Sequence, residues 1–118
     1  MDSKALLQLT VEAVDDKRAE DVVALDVEKV SLMADYFVIA SADSKRQVQA
    51  IADSVVEFIR KAGSDVKSVE GRLAGEWILI DCGDVVVHVF QKDARQHYNL
   101  EKLWADAPLV DIAQWVNA

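Results

Sequence analysis

The sequence predicts an α/β protein, a mixed sheet with helices packed on it, and three observations carry the prediction. Two runs rich in β-formers, Asp21-Val22-Val23-Ala24-Leu25-Asp26-Val27 and Tyr36-Phe37-Val38-Ile39-Ala40, come early in the chain. A capped amphipathic helix follows them. Beyond it, Glu76-Trp77-Ile78-Leu79-Ile80-Asp81-Cys82 and Val85-Val86-Val87-His88-Val89-Phe90 flank Gly83-Asp84, the pattern of a tight hairpin. Strands on both sides of a helix favour a mixed sheet, and any parallel neighbours require right-handed crossovers.

The elements follow in order. Residues 3–16 read as a helix, with Leu6, Leu9, Ala13 and Val14 on one stripe and Asp2 or Ser3 as cap. Asp15-Asp16-Lys17-Arg18-Ala19-Glu20 is a polar link to the first strand. Ser44-Lys45-Arg46-Gln47 is a capping-box pattern, and Val48, Ile51, Ala52, Val55, Phe58 and Ile59 recur behind it at helical spacing. Gly63 ends that helix as a left-handed cap. A weak strand covers residues 66–69, which with the hairpin makes five. Residues 92–98 and 99–105 read as two short helices, Pro108 stops the second, and Ile112, Trp115 and Val116 suit one amphipathic turn. Leu103 and Trp104 are the expected anchors of the second short helix, with Tyr98 and Glu101 at its rim. Residues 1–105 form the expected domain and 106–118 a C-terminal tail.

Counting outward from Gly83-Asp84 sets the hairpin register. Cys82, Ile80 and Ile78 face Val85, Val87 and Val89, an apolar side suited to the core. The other side pairs Trp77 with Phe90, Leu79 with His88, and Asp81 with Val86. Large aromatics beside an imidazole and a carboxylate suit a partner site if the face is open. A helix or the tail lying over it makes Trp77 plain core instead, and the sequence leaves both readings standing.

The 118 residues, 52% of them hydrophobic, suffice for one domain that folds without disulfides or structural metal. A single cysteine gives no sign of an oxidising compartment. With no long apolar run and no signal or transit pattern at the N-terminus, a soluble cytoplasmic protein is expected. Thirteen basic against 21 acidic residues give a net charge of −8. The basic ones (Lys17-Arg18, Lys45-Arg46, Arg60-Lys61, Lys92, Arg95) are scattered, which argues against binding dominated by phosphate contacts and favours a basic protein partner.

Catalytic chemistry finds little support. Cys82 points to the apolar side and His88 to the other, so they form no nucleophile–base pair. Asp81, Asp84, His88 and His97 lack a metal-ligand spacing. Gly63, Gly71, Gly75 and Gly83 build no phosphate loop. Asp26 and Asp35 form no Asp-x-Asp. No catalytic residue, metal ligand or cofactor is assigned.

Several stretches together resemble a known family: Asp35-Tyr36-Phe37-Val38-Ile39-Ala40-Ser41, Ser44-x-Arg46-Gln47-Val48, Glu70-Gly71, the run from Trp77 through Gly83-Asp84 to Phe90, and Tyr98-x-Leu100-Glu101-x-Leu103-Trp104. In order and spacing they are similar to the RsfS/Iojap ribosomal silencing factors. The resemblance implies a nucleotidyltransferase-like core without its catalytic acids, about five strands with helices mainly on one face. It also implies binding to the large ribosomal subunit through its fourteenth protein, a basic partner on the intersubunit face, with little direct RNA contact. By the same resemblance, docking there is expected to block subunit joining and damp translation when nutrients are scarce. The contact residues it suggests are Trp77, Leu79, Asp81, His88, Phe90, Arg95, Tyr98, Leu100 and Glu101. Two rival readings are a metal-dependent nucleotidyltransferase-like enzyme, needing Asp26, Asp35 or Asp81, and a module that pairs with itself through the Trp77 face, giving a homodimer when free.

Overall fold

The computed structural model describes residues 1–116. The chain runs α1 (Ser3–Asp16), β1 (Glu20–Asp26), β2 (Tyr36–Ala42), α2 (Lys45–Lys61), β3 (Ser68–Glu70), β4 (Trp77–Asp81), β5 (Val85–Gln91), α3 (Lys92–Tyr98), α4 (Leu100–Leu103) and β6 (Leu109–Val110), then a 3-10 turn, Ala113–Trp115. The sheet order is β3-β4-β5-β2-β1-β6. β2 and β5 are parallel, and every other neighbouring pair is antiparallel. The mixed sheet is as expected, with six strands instead of about five. The sixth, β6, lies in the segment read as a tail and pairs with β1 through Ala24↔Val110 and Leu25↔Leu109.

Local chemistry sets the helix ends. Asp2 Oδ1 accepts the Ala5 N–H at 2.7 Å and starts α1. Ser44 Oγ accepts the Gln47 N–H at 3.2 Å and starts α2, while its hydroxyl donates to Gln47 Oε1 at 3.3 Å. Gly63, at φ +87°, closes α2. There the Ser64 N–H reaches Ile59 O and the Gly63 N–H reaches Arg60 O, the paired bonds of a Schellman motif.

Both long helices lie on one face of the sheet. Leu7, Val11 and Val14 of α1 and Val48, Ile51, Val55 and Ile59 of α2 pack on Val38, Ile78, Ile80, Val85, Val87 and Val89, all at most 1% exposed. Each such side chain contributes about 1.5–3 kcal/mol by leaving water, so this layer holds the fold together. Trp115 and Val116 pack against the same cluster. The segment after β6 therefore lies on the α1 side of the sheet.

The opposite face carries a smaller cluster of Leu25, Val27, Ala34, Phe37, Ile39, Phe90, Leu100 and Ala107, with Trp77, Val86, Ala94 and Trp104 at its edge. One expectation is corrected here. Leu103 is 76% exposed, and Leu100, at 9%, is the anchor in its place. Asn99 takes a left-handed turn at φ +46° between α3 and α4, and α4 ends after Leu103, so the longer stripe read from sequence never forms.

Candidate functional site

The hairpin register matches the count from the turn. Trp77 pairs with Phe90, Leu79 with His88, and Asp81 with Val86. Gly83 adopts φ +94°, a left-handed value that glycine takes without penalty, and the Cys82 N–H donates to Val85 O at 2.9 Å across the turn. Asp81 Oδ1 accepts the Gly83 N–H at 2.9 Å. One carboxylate of the candidate face thus also tightens the turn that sets the register.

At the other end of the hairpin the aromatics form one stack. The Trp77 ring lies 5.0 Å from Phe90 and 4.9 Å from Tyr98 of α3, and Phe37 meets His88 and Trp104 edge-on, each at 5.1 Å. Trp77 is half-buried, Phe90 fully buried, and Tyr98 47% exposed. Gly71 holds the backbone behind this stack. At φ +81° it approaches so closely that a Cβ there would collide with the Trp77 carbonyl oxygen.

His88 is 4% exposed. Its Nδ1 accepts the Trp77 indole N–H at 3.1 Å, so in the neutral ring the proton sits on Nε2. Nε2 has no hydrogen-bond partner among the described residues. Burial pushes the imidazole pKa down to about 4, which keeps His88 neutral at physiological pH.

Arg95 and Glu101 form a separate unit on the other side of α3. The Arg95 guanidinium grips Glu101 through Nε–Oε1 at 2.9 Å and Nη2–Oε2 at 3.3 Å, and Nη1 donates to Ser41 Oγ at 3.0 Å. This fork borders an open cleft of about 550 Å³ that Lys92, Asn99 and Asp21 also line. Lys92 bridges Glu20 and Asp43 at 3.0 and 2.9 Å.

Of the nine residues suggested from sequence, Trp77, His88, Phe90 and Tyr98 come together in the stack. Leu79 and Asp81 continue the same side of β4 toward the turn, both half-buried. Leu100 is buried under α4, and Arg95 with Glu101 faces the separate cleft. The β1–β2 loop is an exposed apolar feature that the sequence reading did not single out. Val30, Leu32 and Met33 are 48%, 106% and 84% exposed. Three apolar residues in a polar connection were the available signal.

This face is neither fully open nor fully covered. Tyr98 shelters the Phe90 ring and Trp104 the Phe37 ring, while Leu79, Asp81 and Val86 remain half-exposed. Of the described part of the tail, Ala107 joins the cluster on this face, while β6 pairs at the far edge of the sheet and Trp115 packs on the other side.

Among the described residues no group of three or more His, Cys, Asp or Glu is placed to hold a metal ion, and no helix is long and apolar enough to cross a membrane. Burial, then the nearby Asp81 charge, pushes the Cys82 thiol up to about 12, the reverse of an activated nucleophile.

The family model described as "Ribosomal silencing factor during starvation" matches residues 1–118. The chain belongs to the ribosomal silencing factor family. It is 54% identical over 112 residues to ribosomal silencing factor RsfS of Bacillus subtilis, covering 95% of both chains. It is 32% identical to "Mitochondrial assembly of ribosomal large subunit protein 1" of Mus musculus, covering 83% of this chain and 44% of the mouse protein. A crystal structure from Chromobacterium violaceum superposes with a TM-score of 0.87 at 39% identity, covering 89% of this chain and 88% of that one. A second, from Bacillus halodurans, gives 0.82 at 52% identity, covering 92% and 98%. The family name describes a regulator of translation, not an enzyme.

Proposed function

We propose that the chain binds the large ribosomal subunit through its fourteenth protein and sterically blocks joining of the small subunit, repressing translation in the cytoplasm. The half-open outer side of the β4–β5 hairpin is the observation that carries this reading. It presents Leu79, Asp81 and Val86 on a rigid sheet beside the Trp77–Tyr98 stack. Aromatic and apolar anchors are enriched at the centre of protein interfaces, with polar and charged groups such as Asp81 suited to the rim. The net charge of −8 favours a basic partner over nucleic acid. Trp77, Leu79, Asp81 and Tyr98 make the contact, with His88 and Phe90 holding the Trp77 ring from beneath. Leu100 positions α4, and Arg95 with Glu101 positions α3.

The test is co-sedimentation with separated ribosomal subunits, wild type beside Leu79→Ser, a change at a half-exposed position that spares the core. Wild type should pellet with the large subunit alone, and Leu79→Ser should stay in the supernatant with its melting temperature intact. Wild type pelleting with neither subunit refutes the proposal.

A further inference from the structure

We infer that the β1–β2 loop is a second anchor on the same partner, with Leu32 and Met33 inserting into an apolar depression on a basic protein surface while the carboxylates of the same loop pair with its cations. The inference rests on the function proposed above and extends its contact surface beyond the hairpin.

Leu32 and Met33 are among the most exposed large apolar side chains of the described residues. Adjacent side chains this exposed have a stated use at interfaces, where methionine is enriched and adapts to irregular pockets. The loop that carries them is hydrogen-bonded within itself. Asp26 Oδ1 accepts the Glu28 N–H at 3.1 Å, Ser31 Oγ accepts the Met33 N–H at 3.1 Å, and the N–H groups of Val30 and Ser31 both reach Val27 O. Its feet, Val27 and Ala34, are 0% and 6% exposed and belong to the same cluster as Phe37 and Phe90. The loop is thus braced at both feet and by its own bonds, which lowers the backbone freedom that docking forfeits.

The loop is also continuous with the hairpin. The N–H groups of Asp35 and Tyr36 both donate to Asp84 O, at 2.8 and 3.1 Å. This places the loop beside the Gly83-Asp84 turn, at the Asp81 and Val86 end of the candidate face.

Charge identifies the occupant. Glu28, Asp26, Asp35 and Asp2 lie close enough to Tyr36 to help burial raise its pKa. Among the described residues none of these four, nor Asp84, takes part in a salt bridge. Lys29 is the single base between residues 26 and 35. Apolar prongs on a loop that carries Asp26, Glu28 and Asp35 against one lysine, with no salt bridge among these carboxylates, fit a basic protein surface. A second copy of this chain, docked symmetrically, sets one acidic loop against another, and an anionic membrane surface repels the same loop.

The experiment measures large-subunit binding by wild type, Leu32→Ser/Met33→Ser and Glu28→Lys, with Leu79→Ser alongside. Both loop variants alter exposed side chains, and unchanged melting temperatures establish that they fold. The double variant should bind at least about tenfold more weakly, roughly 1.4 kcal/mol, and Glu28→Lys should also weaken binding and flatten its salt dependence. Loop variants that bind as tightly as wild type while Leu79→Ser does not overturn this inference and leave the proposed function standing. A double variant that loses only self-association in sedimentation assigns the prongs to a second copy and also overturns it. Wild type that binds no large subunit overturns the proposed function and the inference with it.

Discussion

Acid titration of His88 offers a quantitative test of how the site is built. The ring is buried, its Nδ1 is committed to the Trp77 indole N–H, and its pKa falls from the ordinary 6.5 to about 4. Protonation would charge a desolvated ring and set one donor against another. The unfolded chain therefore takes up this proton first. The stability contributed by the neutral ring is complete above the unfolded pKa of 6.5 and drains away as pH falls from there toward about 4. At about 1.4 kcal/mol for each pH unit, the loss totals roughly 3 kcal/mol, a large part of the stability of a domain this size. His88→Asn keeps a side-chain acceptor for Trp77 and removes the titration. Urea unfolding followed by tryptophan fluorescence, from about pH 7.5 to about pH 4.5, should show the stability of wild type relative to His88→Asn shrinking by about 2–3 kcal/mol. Carboxylate titrations are common to both proteins and cancel. A difference that stays constant over that range refutes the reasoning.

Three further outcomes are expected. Gly71→Ala should destabilise by about 2 kcal/mol or more, from the positive φ and the collision with the Trp77 carbonyl, and should shift the Trp77 fluorescence. Native Cys82 should react with iodoacetamide about a thousandfold more slowly than in the urea-unfolded chain, since its pKa rises from 9.0 to about 12; a mass-spectrometric time course measures the ratio. Arg95→Met should cost roughly 1–2 kcal/mol in chemical denaturation by leaving Glu101 and Ser41 without their shared donor.

The parts legible in the sequence were those dictated by local chemistry. Gly83-Asp84 fixes a two-residue turn, and a two-residue turn fixes every pair from Asp81↔Val86 to Trp77↔Phe90. Ser44 and Gly63 bound α2 through hydrogen bonds that span only a few residues. The missed parts depend on distant partners. Leu109-Val110 has no period of its own and becomes a strand because β1 leaves an edge free to pair. Asn99 breaks the stripe through Leu103 with a left-handed turn that its residue type permits but does not compel. The sequence placed His88 on the Trp77 face but not its depth, which is set by Phe37 reaching it from β2. Arg95 and Glu101 were grouped with Tyr98 by proximity in the chain, whereas Ser41 draws the guanidinium to the other side of α3.

The outermost strands of the sheet are its shortest, three residues in β3 and two in β6. An edge strand ordinarily offers a row of free amides and carbonyls to any extended peptide, the route to strand addition and fibrous aggregation. Rims this brief give an incoming strand too few rungs to climb. A protein meeting this one must therefore recognise it by the shape and charge of side chains on its surface, and a ladder of main-chain bonds that accepts almost any sequence has nowhere to start.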